Sequence, residues 1–78
     1  MSGEVTPVAI RTPFIPLDAF FKWSGVADTG GMAKHWIAEG LVQVNGEVCR
    51  MRGKTLVPGD EVVFGEERFC VVREEEEA

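Results

Sequence analysis

The sequence predicts an α+β fold, because the segments that favour helices lie together between segments that favour strands. One strand-like run opens the chain, two short helical segments follow, and several strand-like runs complete it. Strands and helices do not alternate, so a parallel sheet is not supported. With 78 residues, of which 45% are apolar, the chain suffices for a single domain (1–78) with one modest core.

The first part of the chain predicts a strand followed by a short helix. Apolar or branched side chains alternate over residues 5–12, which is typical of a strand. Pro16 is compatible with a helix start, because the first helical turn does not use the missing N–H. Bulky apolar side chains recur at helical spacing after it, and Gly25 is suited to end this helix.

A second helix is predicted to begin after Asp28 or Thr29, either of which can cap its amino end. Lys34 and His35 fall outside the apolar stripe of this helix and are expected to be exposed. The stripe consists of Met32, Ala33, Trp36, Ile37, Gly40 and Leu41.

The remainder of the chain predicts hairpins. Asn45-Gly46 lies between two strand-like runs and favours a type I′ turn, in which both central residues have positive φ. A closing hairpin is predicted over residues 61–73, with its turn at Gly65-Glu66. The glutamates that follow predict a flexible acidic tail over residues 74–78.

Charge is distributed unevenly along the chain. The formal net charge is −5, but without the four glutamates Glu74 to Glu77 it is −1. Between Lys22 and Lys54, five Lys or Arg residues stand against three Asp or Glu residues. Such asymmetry says more about partners than the total charge does, and it allows an anionic partner for the middle of the chain.

Composition and motifs point away from catalysis, metal binding and membranes. The chain lacks a nucleophile elbow, a P-loop and a dinucleotide fingerprint, so neither an enzyme nor a cofactor is expected. Cys49 and Cys70 are expected to be reduced thiols, since there is no C-x-x-C pair and His35 is the sole histidine. The amino-terminal region has no continuous apolar run, which predicts a cytoplasmic protein without a membrane span.

The basic residues after the Asn45-Gly46 turn have two interpretations, and so does Trp23. Arg50, Arg52 and Lys54 alternate, so an extended chain would direct all three to one side. Such a row, near the amino end of a helix, can follow a phosphate backbone, or it can be the solvated face of a half-exposed strand. Trp23 is expected to pack in the core, with an exposed ring edge, and a stacking platform for a base is the alternative.

Three segments together resemble the S4-like RNA-binding domain, which is found in small-subunit ribosomal protein four. They are Leu-Asp-Ala-Phe-Phe-Lys (17–22), Thr-Gly-Gly-Met-Ala-Lys (29–34) and Ile-Ala-Glu-Gly-Leu-Val-Gln-Val-Asn-Gly (37–46). Pro58 to Val62 matches the place where that domain closes its sheet. The resemblance covers about residues 15–64 and is greatest to small stand-alone bacterial members of the YaaA and YbcJ type.

The resemblance implies two short helices packed on a small, mainly antiparallel sheet, the alpha-L RNA-binding motif. It also implies that RNA binds along the second helix and the adjoining strand loops, with ribosomal RNA or a ribosome-assembly particle as the target and ribosomal proteins as further partners. Together with the charge pattern, it gives a predicted RNA site made of Lys22, Gly30, Gly31, Lys34, His35, Arg50, Arg52 and Lys54.

The chain departs from the family pattern at three positions. Pro16 and Gly30 stand where many members have Arg, and Ala19 stands where they have Lys. Fewer cations release fewer counterions on binding, so a modest and salt-sensitive affinity is expected.

Two other functions fit parts of the sequence. A protein-interaction module of ribosome-associated complexes would keep the fold without RNA contact, with the acidic tail docked on a basic ribosomal protein. A ubiquitin-like sulfur carrier would suit the small sheet, but such carriers end in Gly-Gly, whereas this chain ends in Glu-Glu-Glu-Glu-Ala.

Overall fold

A computed structural model describes residues 4–74 and confirms the α+β fold. The predicted flexible tail therefore lies outside the described residues, except for Glu74. The elements, in chain order, are β1 (Val5–Ile10), β2 (Ile15–Pro16), α1 (Leu17–Ser24), α2 (Gly30–Ala38), β3 (Val42–Val44), β4 (Glu47–Val48), β5 (Thr55–Leu56), β6 (Glu61–Phe64) and β7 (Glu67–Arg73).

Five strands form one sheet in the order β1-β7-β6-β3-β4, and β2 pairs with β5 in a separate two-stranded sheet. The β1–β7 pair is parallel and the other pairs are antiparallel, so the sheet is mainly antiparallel, as predicted. β1 ends at Ile10 rather than at Thr12, because the chain bends over residues 11–13 before it enters β2.

Both ends of α2 are fixed by hydrogen bonds. Thr29 is the amino-terminal cap, and its Oγ1 accepts a hydrogen bond from a first-turn amide at 3.3 Å. At the carboxyl end, Gly40 has a φ of 79°, and its amide donates to the carbonyl of Ile37. The amide of Leu41 donates to the carbonyl of Trp36, which completes a Schellman motif. Neither helix within residues 4–74 is long and apolar enough to cross a membrane.

The apolar stripe of α2 is narrower than the sequence predicts. Ala33 and Ile37 are buried and Trp36 is partly buried, but Met32 is 39% exposed and Leu41 is 51% exposed. One neighbouring helix and a small sheet cover only the central line of α2, so the two margins of its stripe remain in solvent.

An aromatic cluster joins the helices to the sheet, with Phe21 at its centre. The Phe21 ring is fully buried and meets Phe20, Trp36 and Phe64 edge-on, with centroid distances of 5.7, 5.7 and 5.8 Å. Trp36 stacks on Phe64 at 4.3 Å with an interplanar angle of 22°. These contacts stabilise the fold by more than the burial of apolar surface alone, because aromatic pairs in such geometries attract one another.

The Asn45-Gly46 turn has the backbone that its sequence predicts. Asn45 has a φ of 52° and Gly46 a φ of 88°, as a type I′ turn requires. The Asn45 side chain also joins this turn to the start of β6: its Nδ2 donates to Asp60 Oδ1 at 3.2 Å, and its Oδ1 accepts from the amide of Glu61 at 3.0 Å. The hairpin therefore keeps a defined position relative to β6.

Phe21→Ala should lower the free energy of unfolding by about 3–5 kcal/mol, because it leaves a cavity between both helices and the sheet. Phe14→Ala is the matched control, since Phe14 is 54% exposed, and it should change stability by less than about 0.5 kcal/mol. Urea denaturation followed by circular dichroism measures both values. Equal losses for the two variants would contradict the central role of Phe21.

Candidate nucleic-acid interface

The three alternating cations lie in a loop and not on a strand, which corrects the sequence interpretation. β4 ends at Val48, and residues 49–54, here called the cation loop, are outside the regular strands. The amide of Lys54 donates to the carbonyl of Met51 at 3.0 Å, so the chain turns between Arg50 and Lys54. The alternation therefore does not by itself place the three side chains on one face. Their grouping depends on how the cation loop packs.

The cation loop packs against the amino end of α1. The amide of Leu17 donates to the carbonyl of Lys54 at 2.8 Å, and the amide of Asp18 donates to the carbonyl of Arg52 at 3.1 Å. Pro16 occupies the cap position and contributes no side-chain hydrogen bond. Because the first amides of a helix have no partner within it, the loop carbonyls supply what the cap residue does not. This fixes the backbone of the cation loop.

Arg50 extends in the other direction, to the carboxyl end of α2. Its guanidinium group lies against Gly40, so close that a Cβ on residue 40 would come within 2.7 Å of Nη2. A cation there is favourable, because the exposed carbonyls at a helix carboxyl end carry partial negative charge. The cation loop thus joins the amino end of α1 to the carboxyl end of α2.

An open groove of about 460 Å³ runs beside the cation loop. Arg50 and Lys54 contribute cations to it, and Glu47 contributes an anion. Met51, which is 69% exposed, adds an apolar side chain that the sequence interpretation did not include. No periodicity distinguishes Met51 from a core residue, so only the loop conformation could identify it. The remaining lining residues are Val44, Asn45, Val48 and Cys49.

The predicted residues of α2 lie along its exposed side. Lys34 and His35 are both exposed, as expected for residues outside the apolar stripe. Gly30 and Gly31 are in the first turn of α2. With a rise of about 1.5 Å per residue, Gly30 lies about 15 Å along the helix axis from Gly40. No acidic residue occupies that first turn, so no carboxylate there offsets the positive end of the helix dipole.

The cations of the predicted site form no ion pairs within residues 4–74. Among residues 4–74, the single ion pair joins Arg11 Nε to Glu74 Oε1 at 2.9 Å. The predicted site cations therefore have no carboxylate within salt-bridge distance in that part of the chain. Lys22 is also exposed, but it lines a different hollow, beside Trp23 on α1, and does not line the groove of the cation loop.

Metal chemistry has no visible basis in the described range. Residues 4–74 contain no group of three or more His, Cys, Asp or Glu side chains that could hold a metal ion. What the interface offers is exposed cations, the glycine-containing amino end of α2 and a groove. These groups bind anions by charge and hydrogen bonding.

Comparison with known proteins shows the family to which this chain belongs. The S4 domain model matches residues 8–72. A similar protein from Bacillus subtilis (strain 168), named "Probable ribosome maturation protein RlbA", is 43% identical over 56 residues, which cover 72% of this chain and 79% of that protein. The match spans both helices, the cation loop and most of β7, and the chain belongs to the S4 domain family.

Proposed function

We propose that this protein binds structured RNA in the cytoplasm, without catalysis, and that its target is ribosomal RNA or a ribosome-assembly particle. The observation that carries the proposal is the cation loop. Arg50, Arg52 and Lys54 are all exposed, and none pairs with a carboxylate within residues 4–74. Exposed cations held on a fixed backbone are suited to contact successive phosphates of a nucleic acid.

Two comparisons support this function. The S4 domain match covers the cation loop and α2 together, so the family resemblance includes the surface in question. The name of the similar Bacillus subtilis protein refers to ribosome maturation, a process that takes place on RNA–protein particles. Partners of this chain are accordingly RNA and, on the same particle, ribosomal proteins.

The first turn of α2 supports a second point of contact. A Cβ on Gly30 would meet nothing within 4 Å, and one on Gly31 would meet only Thr29 Oγ1 at 3.8 Å. Glycine disfavours a helix by about 1 kcal/mol relative to alanine, yet nothing in the described fold requires it here. Bare backbone at a helix amino end lets a phosphate approach the amides closely, with Lys34 and His35 exposed further along α2.

The negative charges of the protein limit how strongly it can bind RNA. The whole chain carries −5, and Glu47 lines the same groove as Arg50 and Lys54. Long-range attraction to RNA is therefore weak, and affinity rests on a few short-range phosphate contacts. We expect modest binding that falls steeply as salt is added.

Arg52→Glu should weaken binding to an RNA hairpin by at least about tenfold, because it replaces a phosphate contact with repulsion. Its backbone carbonyl still caps α1, so the fold should be retained. Arg68→Glu is the matched control: Arg68 is exposed and adjoins buried Phe69 on β7, so its side chain lies on the sheet face away from the helices. Fluorescence anisotropy with labelled RNA measures both. Equal losses would mean that only net charge matters.

Arg52→Gln should flatten the salt dependence in a characteristic way. Each phosphate contact that is lost reduces the slope of log affinity against log salt by about 0.7–0.9. The slope is obtained from titrations at several salt concentrations. A slope equal to that of the unmodified protein would show that Arg52 does not contact a phosphate.

Gly31→Ala should separate folding from function. The variant should raise the free energy of unfolding by up to about 1 kcal/mol, because alanine favours the helix and has space for its methyl group. It should weaken RNA binding, because the methyl group keeps a phosphate from the first-turn amides. Thermal denaturation and anisotropy measure the two effects. Unchanged affinity in the stabilised variant would remove this end of α2 from the interface.

A further inference from the structure

Two apolar hollows border Trp23, and neither shares a lining residue with the groove of the cation loop. Trp23 and Ile15 line both of them. The first hollow, of about 420 Å³, also includes Phe14 and Pro16, and the second, of about 400 Å³, includes Lys22. The indole therefore borders both hollows, and neither hollow includes a residue of the cation loop.

The Trp23 ring is held in a fixed position although it is largely exposed. Its Nε1 donates a hydrogen bond of 2.7 Å to the carbonyl of Ala9 in β1, and 53% of its surface is accessible. That bond uses the only polar group of the indole, so what remains for a ligand is the apolar ring. Trp36 contrasts with it, because Trp36 stacks on Phe64 and packs against the core.

The charges around the hollows suit a ligand that is both flat and anionic. Lys22 is exposed and has no carboxylate partner within residues 4–74. Arg11 lines the first hollow, but its charge is offset by Glu74 at 2.9 Å. The first hollow presents the Phe14 and Trp23 rings, and the second presents the Lys22 ammonium group beside Trp23. Together they match a nucleotide, which carries a π-face and a phosphate. A purely apolar protein segment would leave Lys22 without a partner.

The hollows adjoin the cation loop through the small second sheet. Pro16 lines the first hollow and pairs with Thr55, the residue after Lys54. The amide of Leu17, which follows Pro16, donates to the carbonyl of Lys54. These two backbone contacts connect the first hollow to Lys54, the last residue of the cation loop.

We infer that Trp23 and Phe14 form a stacking site for an unpaired nucleotide of the bound RNA, with Lys22 at its phosphate. The inference rests on the proposed RNA binding and extends it, because it names a single-stranded segment beside the structured part as the ligand. The paired part lies along the cation loop and α2, and the unpaired base is held at the hollows that border Trp23.

The test uses Trp23 as its own reporter. The chain has two tryptophans, so Trp36→Phe leaves Trp23 as the single source of indole fluorescence. This variant is titrated at low salt with a blunt RNA hairpin and with the same hairpin carrying an unpaired four-adenosine extension. We expect the extension to quench Trp23 fluorescence and to raise affinity roughly 5- to 150-fold, the range for stacking one base. The blunt hairpin should bind without quenching.

Two further variants, made in the unmodified chain, distinguish stacking from a structural effect. Phe14→Ala removes an exposed ring without touching the Trp23 hydrogen bond, and Lys22→Gln removes the charge alone. Phe14→Ala should reduce the advantage of the extended hairpin and leave affinity for the blunt hairpin unchanged. Lys22→Gln is compared through the ratio of the two affinities, because the loss of a cation can weaken both, and this ratio should also fall.

The outcomes separate the two proposals. If both hairpins bind equally and Trp23 fluorescence stays constant, the stacking site is overturned, RNA binding by the cation loop stands, and the hollows are left to a protein partner. If neither hairpin binds, the proposed function fails and the stacking site fails with it. Retention of the full advantage of the extension in both Phe14→Ala and Lys22→Gln would also overturn the stacking site.

Discussion

Two backbone hydrogen bonds at the amino end of α1 determine how the candidate interface is arranged. Pro16 cannot cap the helix with its side chain, so the amides of Leu17 and Asp18 bond to the carbonyls of Lys54 and Arg52. Because buried or unpaired amides are costly, the cation loop is held against α1 for reasons of stability. The loop that carries the cations is therefore part of the folded core structure, and its basic side chains extend outward from a fixed backbone.

This arrangement gives an anionic protein three exposed cations within one short loop. Arg50 stabilises the carboxyl end of α2 and also lines the groove, so one side chain contributes to folding and to the interface. Arg52 and Lys54 use their carbonyls for the fold and keep their charged groups available. Since the total charge is −5, the proposed binding of RNA would depend on these few cations and on short-range contacts.

The aromatic residues fall into two groups, buried rings that join the helices to the sheet and exposed rings outside that cluster. Phe21 and Trp36 bring the helices onto the sheet, and their rings are largely or wholly covered by each other and by Phe64. Trp23 and Phe14 lie beyond the edge of that cluster, near β1 and β2, and more than half of each side chain is exposed. In a domain with so small a core, exposed rings of this size are the exception.

The sequence by itself determined the local elements, because their signals act over a few residues. Gly25 ends α1 and the Asn45-Gly46 turn forms where each was predicted, and Thr29 is the cap of α2, one of the two candidates. It also indicated the exposed side of α2 and, through the family resemblance, the S4 fold. Only the tertiary structure decided the parallel pairing of β1 with β7, the turn that removes the expected row of cations, and the separation of Lys22 from the groove. These depend on contacts between residues far apart in the chain, which local periodicity does not encode.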